Sequence, residues 1–389
     1  MKTTGFRAIA IRSLAETARR PIYWVGIFVM PLIFFLFLTS LMGAGLPTKV
    51  PAGIVDKDGT HLSRQVTQTL GGMQMVDLVQ SPGSYTEARH AVQRGEIYGF
   101  FMIPENFQAD VLAGRAPVIT FYTNMTYYVP ASLLFKTFKA TAVYTKAGIA
   151  VSVLQSAGAG GDANASALLQ PINIAARGIG NPWLDYGIYL CNSFVPCVLQ
   201  LMILLITCFT LGHEVKNGTS RQLLRMANGS IFRAVTAKLL PQTVIWTVIA
   251  FFMEVWLFKF NHYPMHGSWG WLTLSQVMFV LASQGLGVFF YSVLPNLRLS
   301  LSISALVGIL SFSIAAFSFP VESMYGGLGI FSWILPIRYN FLIYIDQALN
   351  GREIYYSRIW YVAYIIFMLL PLTMLWNLKR AYRRQVYVP

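Results

Sequence analysis

The run SFVPCVLQLMILLITCFTL, residues 193–211, is followed directly by GHEVKNGTSRQLLRMANGSIFR, residues 212–233. The first stretch has no charged residue, whereas the second has one lysine, three arginines and a single acid, Glu214. With the apolar residues before it, the first stretch is long enough to cross a bilayer as a helix. Basic residues directly after such a helix are typical of a loop on the inner side of a membrane. The pair therefore predicts a membrane-spanning helix that ends in a basic, inward-facing loop.

The composition of the whole chain indicates a membrane protein. Of 389 residues, 55% are hydrophobic and only 11% are charged, whereas soluble domains have roughly 25% charged residues. The net charge of +14 is concentrated beside apolar stretches: before Pro21, between Lys216 and Lys238, and after Asn377. We therefore interpret the charge as an orientation signal and expect no nucleic-acid partner.

Long apolar stretches divide the chain into a membrane part and one large polar insertion. The predicted spans are residues 22–44, 185–211, 238–258, 271–294, 300–320 and 358–378. An amphipathic helix on the inner membrane surface is expected at 1–21, and a cytoplasmic tail at 379–389. Because the basic loop at 212–237 faces inward, both termini are expected to be cytoplasmic.

The insertion at 45–184 is predicted to be an extracytoplasmic α/β domain. Apolar segments such as AGIVD, YGFFMIP and VITFYT alternate with helical patterns, and Ser84 and Glu87 have the spacing of a capping box. A long helix is predicted from about 130 to 155, followed by a flexible linker at 156–166. A second unusual segment, 321–357, is apolar but interrupted by glycines and Pro336. It predicts a broken, re-entrant pair of short helices before the last span.

No motif in the sequence indicates catalysis. The chain lacks a GxxxxGK[ST] phosphate loop, an HExxH pair and a GxSxG elbow. We therefore expect a non-enzymatic chain that does not hydrolyse ATP and holds no cofactor or metal of its own.

Polar and small residues inside the spans are the remaining candidates for function. The sequence leaves two interpretations open: these residues allow close packing between helices, or they line a substrate path at a dimer seam. Glu254 is a third kind of candidate, since charge inside a membrane is usually functional, but an acid near a helix end also reaches the interface. The path or seam candidates are Asn192, Gln200, Gln276, Gln284, Ser304, Gly308 and Ser311.

The basic loop has more structure than a topology signal requires. Gly218 interrupts the helix, Thr219 is placed to cap SRQLLRM, and Leu223 and Leu224 form a short apolar edge between Arg221 and Arg225. An apolar edge with a charged rim fits a partner's groove. A solvated loop is the alternative.

The sequence resembles the permeases of the ABC type-2 exporter family. The segment from Glu214 through GT to LL is similar to the coupling helix that follows the second span in that family and contacts the ATPase. In the insertion, AGIVDKDGTHLSRQV (52–66), EARHAVQRGEIYGFFMIPENFQADVLAG (87–114) and ITFYTN (119–124) are similar to family motifs. Asn124 stands where the family often has an acid.

The resemblance implies a fold, a function and partners. It implies an α-helical membrane protein of six spans with an inserted α/β domain, and a permease subunit that exports a drug, lipid or similar amphipathic substrate across a bacterial inner membrane. ATP and Mg would be bound by a separate ATPase subunit. A second permease copy or sister permease, membrane lipid and a periplasmic adaptor are the other partners to consider. The ATPase-coupling residues would be Glu214, Gly218, Thr219, Arg221, Leu223, Leu224 and Arg225. A membrane-anchored sensor or scaffold that binds a ligand through the outer domain is the alternative function.

Overall fold

The computed structural model describes residues 5–141 and 181–387, with gaps at 44, 46, 114, 116, 128, 182–184, 316 and 318–320. The predicted helix beyond residue 141 and the predicted linker at 156–166 lie outside the described residues. The chain forms two compact units, one of Met1–Gly45 with Arg177–Pro389 and one of Leu46–Ala176.

The elements are numbered in chain order. The helices are α1 (Phe6–Arg19), α2 (Pro21–Leu41), α3 (His61–Gly71), α4 (Tyr85–Arg94), α5 (Phe107–Leu112), α6 (129–141), α7 (Tyr186–Lys216), α8 (Ser220–Met226), α9 (Ile231–Phe260), α10 (Trp269–Val293), α11 (Leu297–Ile314), α12 (Gly326–Ser332), α13 (Pro336–Leu349), α14 (Ile354–Thr373) and α15 (Leu375–Arg384). The strands are β1 (Val50–Asp56), β2 (Val76–Gln80), β3 (Gly99–Ile103) and β4 (Thr120–Thr123).

The first unit is a helical bundle. Among the described residues, six helices are long and apolar enough to cross a membrane: α2, α7, α9, α10, α11 and α14. The prediction of a helical membrane protein with six candidate spans is therefore confirmed. Helix α7 is the central element, because it contacts α2, α9, α10, α11 and α13.

Helix α7 is longer than predicted. Nothing between residues 211 and 216 breaks a helix, so α7 continues past the end of its apolar run and stops only near Gly218, whose φ is +69°. Helix α9 likewise begins at Ile231, where the Ser230 hydroxyl caps it by accepting from the Arg233 backbone N–H. The predicted loop at 212–237 is too wide for this reason. Only residues 217–230 lie between the two helices, and they include α8.

Helices α7 and α11 pack through small residues. A Cβ atom at Gly308 would lie 2.3 Å from Leu201 Cδ1, so the two helices approach here as closely as a glycine allows. The Gln200 amide donates to Ser311 Oγ over 3.2 Å, and the hydroxyl of Ser304 lies 3.1 Å from Cys208 Sγ. These contacts within one chain correspond to the packing reading of the small-residue stripe.

The segment before the last span is bent. Helices α12 and α13 form a pair with a 79° bend at a short break, where Pro336 begins α13. The Gln200 side-chain carbonyl accepts from the Ile337 backbone N–H at 2.8 Å, which satisfies one of the donors that a helix start leaves free. The break predicted from the glycines and Pro336 is present.

The second unit contains a small mixed sheet of order β2-β1-β3-β4. Strand β1 pairs in parallel with β2 and β3, and β4 is antiparallel to β3. Helices connect the parallel strands, as the alternating pattern predicts. Ser84 caps α4 by accepting from Glu87 N–H, while the Glu87 carboxylate accepts from Gly83 N–H rather than from the Ser84 N–H of a standard capping box.

Replacing Gly285 by alanine tests the packing of the bundle. A Cβ atom there would lie 2.5 Å from the backbone oxygen of Phe367 in α14, which cannot move aside as a side chain can. We expect a loss of about 1–3 kcal/mol in unfolding free energy, typical of overpacking, measured by denaturant titration in detergent micelles. Gly270→Ala on the same helix is the control, since its nearest neighbour is 3.7 Å away. Equal stability of the two variants would contradict the tight α10–α14 contact.

Candidate functional site

One end of the bundle, which we call the basic end, carries α1, α8 and α15 together with the adjoining ends of α7 and α9. A turn at the C-terminus of α7 leads into α8 at this end of the bundle. Gly218 N–H donates to the carbonyl of Val215, and Thr219 N–H donates to the carbonyl of Glu214. This is a Schellman turn, and the left-handed backbone of Gly218 makes it possible. The turn sets the start of α8 beside the last turn of α7.

A buried ion cluster lies beside this turn. The Glu214 carboxylate, 1% exposed, receives Lys238 Nζ of α9 at 2.5 Å and Arg12 Nη2 of α1 at 3.0 Å. Lys238, 2% exposed, also reaches Glu16 at 2.9 Å, and Glu16 pairs with Arg12 one turn away on α1. Two acids and two cations from three helices therefore neutralise one another, with Glu214 and Lys238 buried and Arg12 and Glu16 partly exposed.

Hydrogen bonds complete the cluster. The Thr219 hydroxyl donates to Glu214 Oε2 at 2.5 Å, and the Ser13 hydroxyl donates to the Lys238 carbonyl at 2.5 Å. Burial lowers the pKa of Arg12, but the carboxylates of Glu214 and Glu16 outweigh it, so this pKa lies above its ordinary value. Arg12 therefore stays charged. Thr219 occupies the N-cap position of α8, but its side chain makes no capping bond; the predicted capping role is wrong because the hydroxyl binds Glu214.

Helix α8 is held on several sides. Its last carbonyl, at Met226, accepts from Gly5 N–H at the start of α1, and the Ser220 hydroxyl donates to the carbonyl of Tyr382 in α15. Leu223 and Leu224 are 1% and 6% exposed and lie in an apolar cluster with α7, α9 and α15. The predicted apolar edge is therefore not a free surface, because the chain itself covers both leucines. The exposed face of α8 is polar, with Arg221, Gln222 and Arg225.

The two arginines of α8 that were predicted to couple to the ATPase, Arg221 and Arg225, differ in their surroundings. Arg221 Nε donates to the carbonyl of Arg383 at 2.8 Å, and its Nη2 reaches the carbonyl of Arg384 at 3.4 Å. Arg221 thus caps the C-terminus of α15, where a cation is favoured by the helix dipole. Arg225 is exposed on the same helix. The residues predicted as a tail at 379–389 include the second half of α15, which packs against α7 and α8 through buried Tyr382.

The candidates for a substrate path fall in three separate places. Gln200, Ser304, Gly308 and Ser311 lie in the α7–α11 contact described above. Gln284 lies between α9 and α10, where its side-chain oxygen accepts from the Thr243 hydroxyl at 2.7 Å. Only Asn192 and Gln276 line a common space, a cavity of about 30 Å³ between α7, α9, α10 and α13.

Glu254 places an acidic side chain in the wall of this cavity. The side chain is 3% exposed, and neither carboxylate oxygen has a hydrogen-bond partner among the described residues. The interpretation that Glu254 reaches the membrane interface is therefore wrong, because the side chain faces the inside of the bundle. Asn192, Gln276 and Asn340 supply amide groups to the same cavity, which is large enough for one or two waters. Within the described parts of the chain, no group of three or more His, Cys, Asp and Glu residues is arranged to hold a metal.

Sequence reasoning missed the two partners of Glu214. Arg12 looks like one more cation of a surface helix, and Lys238 stands at the edge of a predicted span, where it reads as part of a basic loop. The signal for Lys238 was its apolar surroundings in KLLPQTVIW, since a cation inside a span normally has a partner. The signal for Arg12 was weaker, because only its i, i+4 spacing to Glu16 suggests a pair.

The fold and the basic end define a multi-span membrane protein in which a cluster of charged and polar side chains joins the helices at one end of the bundle. Residues 21–376 match the sequence model of a family described as ABC-2 family transporter protein. The chain belongs to this family, and the family implies an ABC permease that works with an ATPase subunit. A search of curated proteins finds no match.

A double-mutant cycle tests the ion cluster. Glu214→Gln leaves Lys238 and Arg12 short of a buried counter-ion, which is expected to cost about 3–5 kcal/mol of unfolding free energy. Lys238→Met alone is also destabilising, and the double variant is expected to lose about 1–3 kcal/mol less than the sum. Denaturant titration in micelles provides the values.

Lys216→Gln is the control for this cycle. Lys216 is exposed on the same helix, so its loss is expected to change stability by no more than about 0.5 kcal/mol. Additive effects of the Glu214 and Lys238 substitutions would show that the two side chains do not interact.

Proposed function

We propose that this chain is the membrane subunit of an ABC exporter, and that a separate ATPase subunit drives it by moving α8. The observation that supports this most directly is the buried connection from α8 through Glu214 to α1 and α9. A force applied to α8 would therefore be transmitted through Thr219 and Glu214 to α7, and from Glu214 to α1 and α9. The exporter direction, the substrate class and the positions of the termini on the cytoplasmic side are parts of the proposal.

Coupling would begin at the exposed face of α8. Arg225 and Gln222 are exposed and therefore accessible to a partner, whereas Leu223 and Leu224 are buried against α7, α9 and α15. Glu214, Gly218 and Thr219 would act as positioning residues, because they fix α8 relative to α7 and need not contact the ATPase. Arg221 would link the same movement to α15 through its bonds to the carbonyls of Arg383 and Arg384.

Helix α7 would carry the movement to the cavity. Glu214 and Asn192 are 22 residues apart on this helix, which corresponds to about 33 Å. Pro196 lies inside α7 and lines the cavity, and its missing N–H leaves the carbonyl of Asn192 without the usual helical bond. A helix is easily bent at such a position. A tilt at the basic end would thus change the cavity that Glu254, Asn192 and Gln276 line.

In this structure the cavity has room for only one or two waters, and we propose that a tilt of α7 opens it to the polar group of an amphipathic substrate. A carboxyl and three amide side chains inside a membrane bundle give hydrogen bonds to the polar group of such a molecule, and the surrounding spans accommodate its apolar part. The exposed face of α11, with Leu306 and Ile309 about 60% exposed, is the surface we propose for a second permease copy. Placement of the α12–α13 pair in the outer leaflet and of the α/β unit outside the cell completes the proposed topology.

Charge reversal at Arg225 tests the docking of the ATPase. Arg225→Glu places an acid on the exposed face of α8, at a side chain that forms no hydrogen bond or ion pair within the described residues of this chain. We expect weaker co-purification of the co-expressed ATPase subunit and at least tenfold lower ATP-driven transport, with an unchanged unfolding midpoint.

Arg233→Glu, an equally exposed position at the start of α9, is the matched control. If Arg225→Glu assembles and transports like Arg233→Glu, the α8 face does not bind the ATPase. Arg221 is unsuitable for this test because its substitution also releases α15.

Glu254→Leu separates function from stability. The substitution removes an unpartnered buried carboxyl at similar volume, so the free energy of unfolding is expected to rise by about 1–3 kcal/mol. Stimulation of ATP hydrolysis by a panel of amphipathic compounds is expected to be lost in the reconstituted complex. Met253→Leu, which changes an apolar wall of the same cavity, is expected to retain it. Full stimulation of the Glu254→Leu variant would show that the cavity has no part in transport.

A further inference from the structure

Two grooves on the bundle lie end to end. The first, which we call the furrow, has a volume of about 240 Å³ and runs between α9, α10 and α14. The second, the basic groove, has a volume of about 300 Å³ and lies between α8, the turn after it and α15. Neither groove belongs to the ion cluster or to the Glu254 cavity.

The furrow is mostly apolar, and its length along α9 matches the thickness of one membrane leaflet. Along α9 it extends from Phe232 to Thr243, about 16 Å, and half of a bilayer's hydrocarbon core is about 15 Å. Leu240 and Leu372 on its walls are 43% and 48% exposed, so the furrow is open towards the bilayer. Three polar side chains line it: the hydroxyls of Thr236 and Thr243 are bound within the chain, and the Gln284 oxygen accepts from Thr243, whereas the Gln284 amide nitrogen has no hydrogen-bond partner among the described residues. The furrow therefore suits a hydrocarbon chain.

The basic groove is lined by four cations, Arg221, Arg225, Lys379 and Arg383. Neither α8 nor α15 contains an acidic residue, and none of the four cations forms an ion pair among the described residues. Arg221 donates to backbone carbonyls, as described above. A cluster of this kind at a membrane surface attracts a phosphate group.

Both walls lead from one groove into the other. On α15, Leu375 lines the furrow, and Lys379 and Arg383 line the basic groove at i+4 and i+8, on one face of the helix. On the opposite wall, Gly229 of the basic groove is three residues from Phe232 of the furrow. A single molecule with an anionic head and an apolar tail would occupy both.

We infer that the furrow and the basic groove together form a binding site for one anionic phospholipid. Its phosphate contacts Lys379 and Arg383, and one acyl chain lies in the furrow against α9 and α10. An acidic protein segment or free phosphate would need the basic groove alone, whereas the continuity of the two grooves favours a lipid. The head group lies directly beside α8, so occupancy stiffens the contact between α8 and α15.

The test measures the phosphatidylglycerol retained by the purified permease, without any ATPase, by native mass spectrometry. Lys379→Gln with Arg383→Gln is expected to reduce retention about fivefold per charge, about 25-fold in all, because each substitution removes a direct contact to the phosphate worth about 1 kcal/mol. Arg380→Gln with Arg384→Gln, which removes two charges from the same helix outside the groove, is the matched control and is expected to retain the lipid.

A second pair of variants tests the furrow. Leu240→Trp fills it, whereas Val244→Trp places the same side chain one turn further along α9, outside the residues that line the furrow. Only Leu240→Trp is expected to reduce retention of phosphatidylglycerol, and phosphatidylcholine is expected to bind weakly to every variant.

Three results would overturn the inference. They are equal retention by both charge pairs, equal retention by both tryptophan variants, and displacement of the lipid by millimolar inorganic phosphate. The last two would identify a phosphate site without an acyl chain. None of these outcomes bears on the docking of the ATPase, since the permease is measured alone.

Discussion

The arrangement of the basic end depends on one buried carboxylate that two cations share. Glu214 on α7 binds Lys238 of α9 and Arg12 of α1, and its backbone and side chain both bind Thr219 at the start of α8. A buried ion pair adds little net stability compared with apolar packing, but removal of one partner leaves an uncompensated charge that is strongly unfavourable. The cluster therefore favours this relative placement of the helices over arrangements that would separate the charges. The position of α8, and with it the surface offered to a partner, follows from that placement.

The sequence predicted most of the fold because the relevant signals are local. Apolar length identified the six spans, and turn residues located the breaks at Gly218 and Pro336. Alternating apolar segments predicted the strands of the mixed sheet. The boundaries were less accurate. The predicted spans ended at the last apolar residue of each run. A helix, however, ends where its last backbone groups are capped, and the Schellman turn at Gly218 lies several residues beyond the apolar run.

The site was predicted less completely, because its residues are brought together by tertiary contacts. Arg12 and Glu214 are 202 residues apart in the sequence, and no periodicity connects them. Leu223 and Leu224 illustrate the same limit: an amphipathic pattern shows that a helix has an apolar face, but not whether the chain or a partner covers it. Here α7, α9 and α15 cover it. Gln284 and Ser304, which look alike as polar residues within spans, lie in different helix contacts for the same reason.

Glu214 and Glu254, two of the buried acids among the described residues of the bundle, have opposite surroundings. Glu214 has every charge and hydrogen bond it needs, so its energy is lowest in the one arrangement seen here. Glu254 has no partner among the described residues, so its burial opposes stability. Local violations of this kind are found mainly at functional sites, where they reduce stability. A substrate's polar group or water entering between α7, α9 and α10 would supply a partner. The ion cluster and the cavity lie along the same helix, α7, and Pro196 is the position between them where this helix bends most easily.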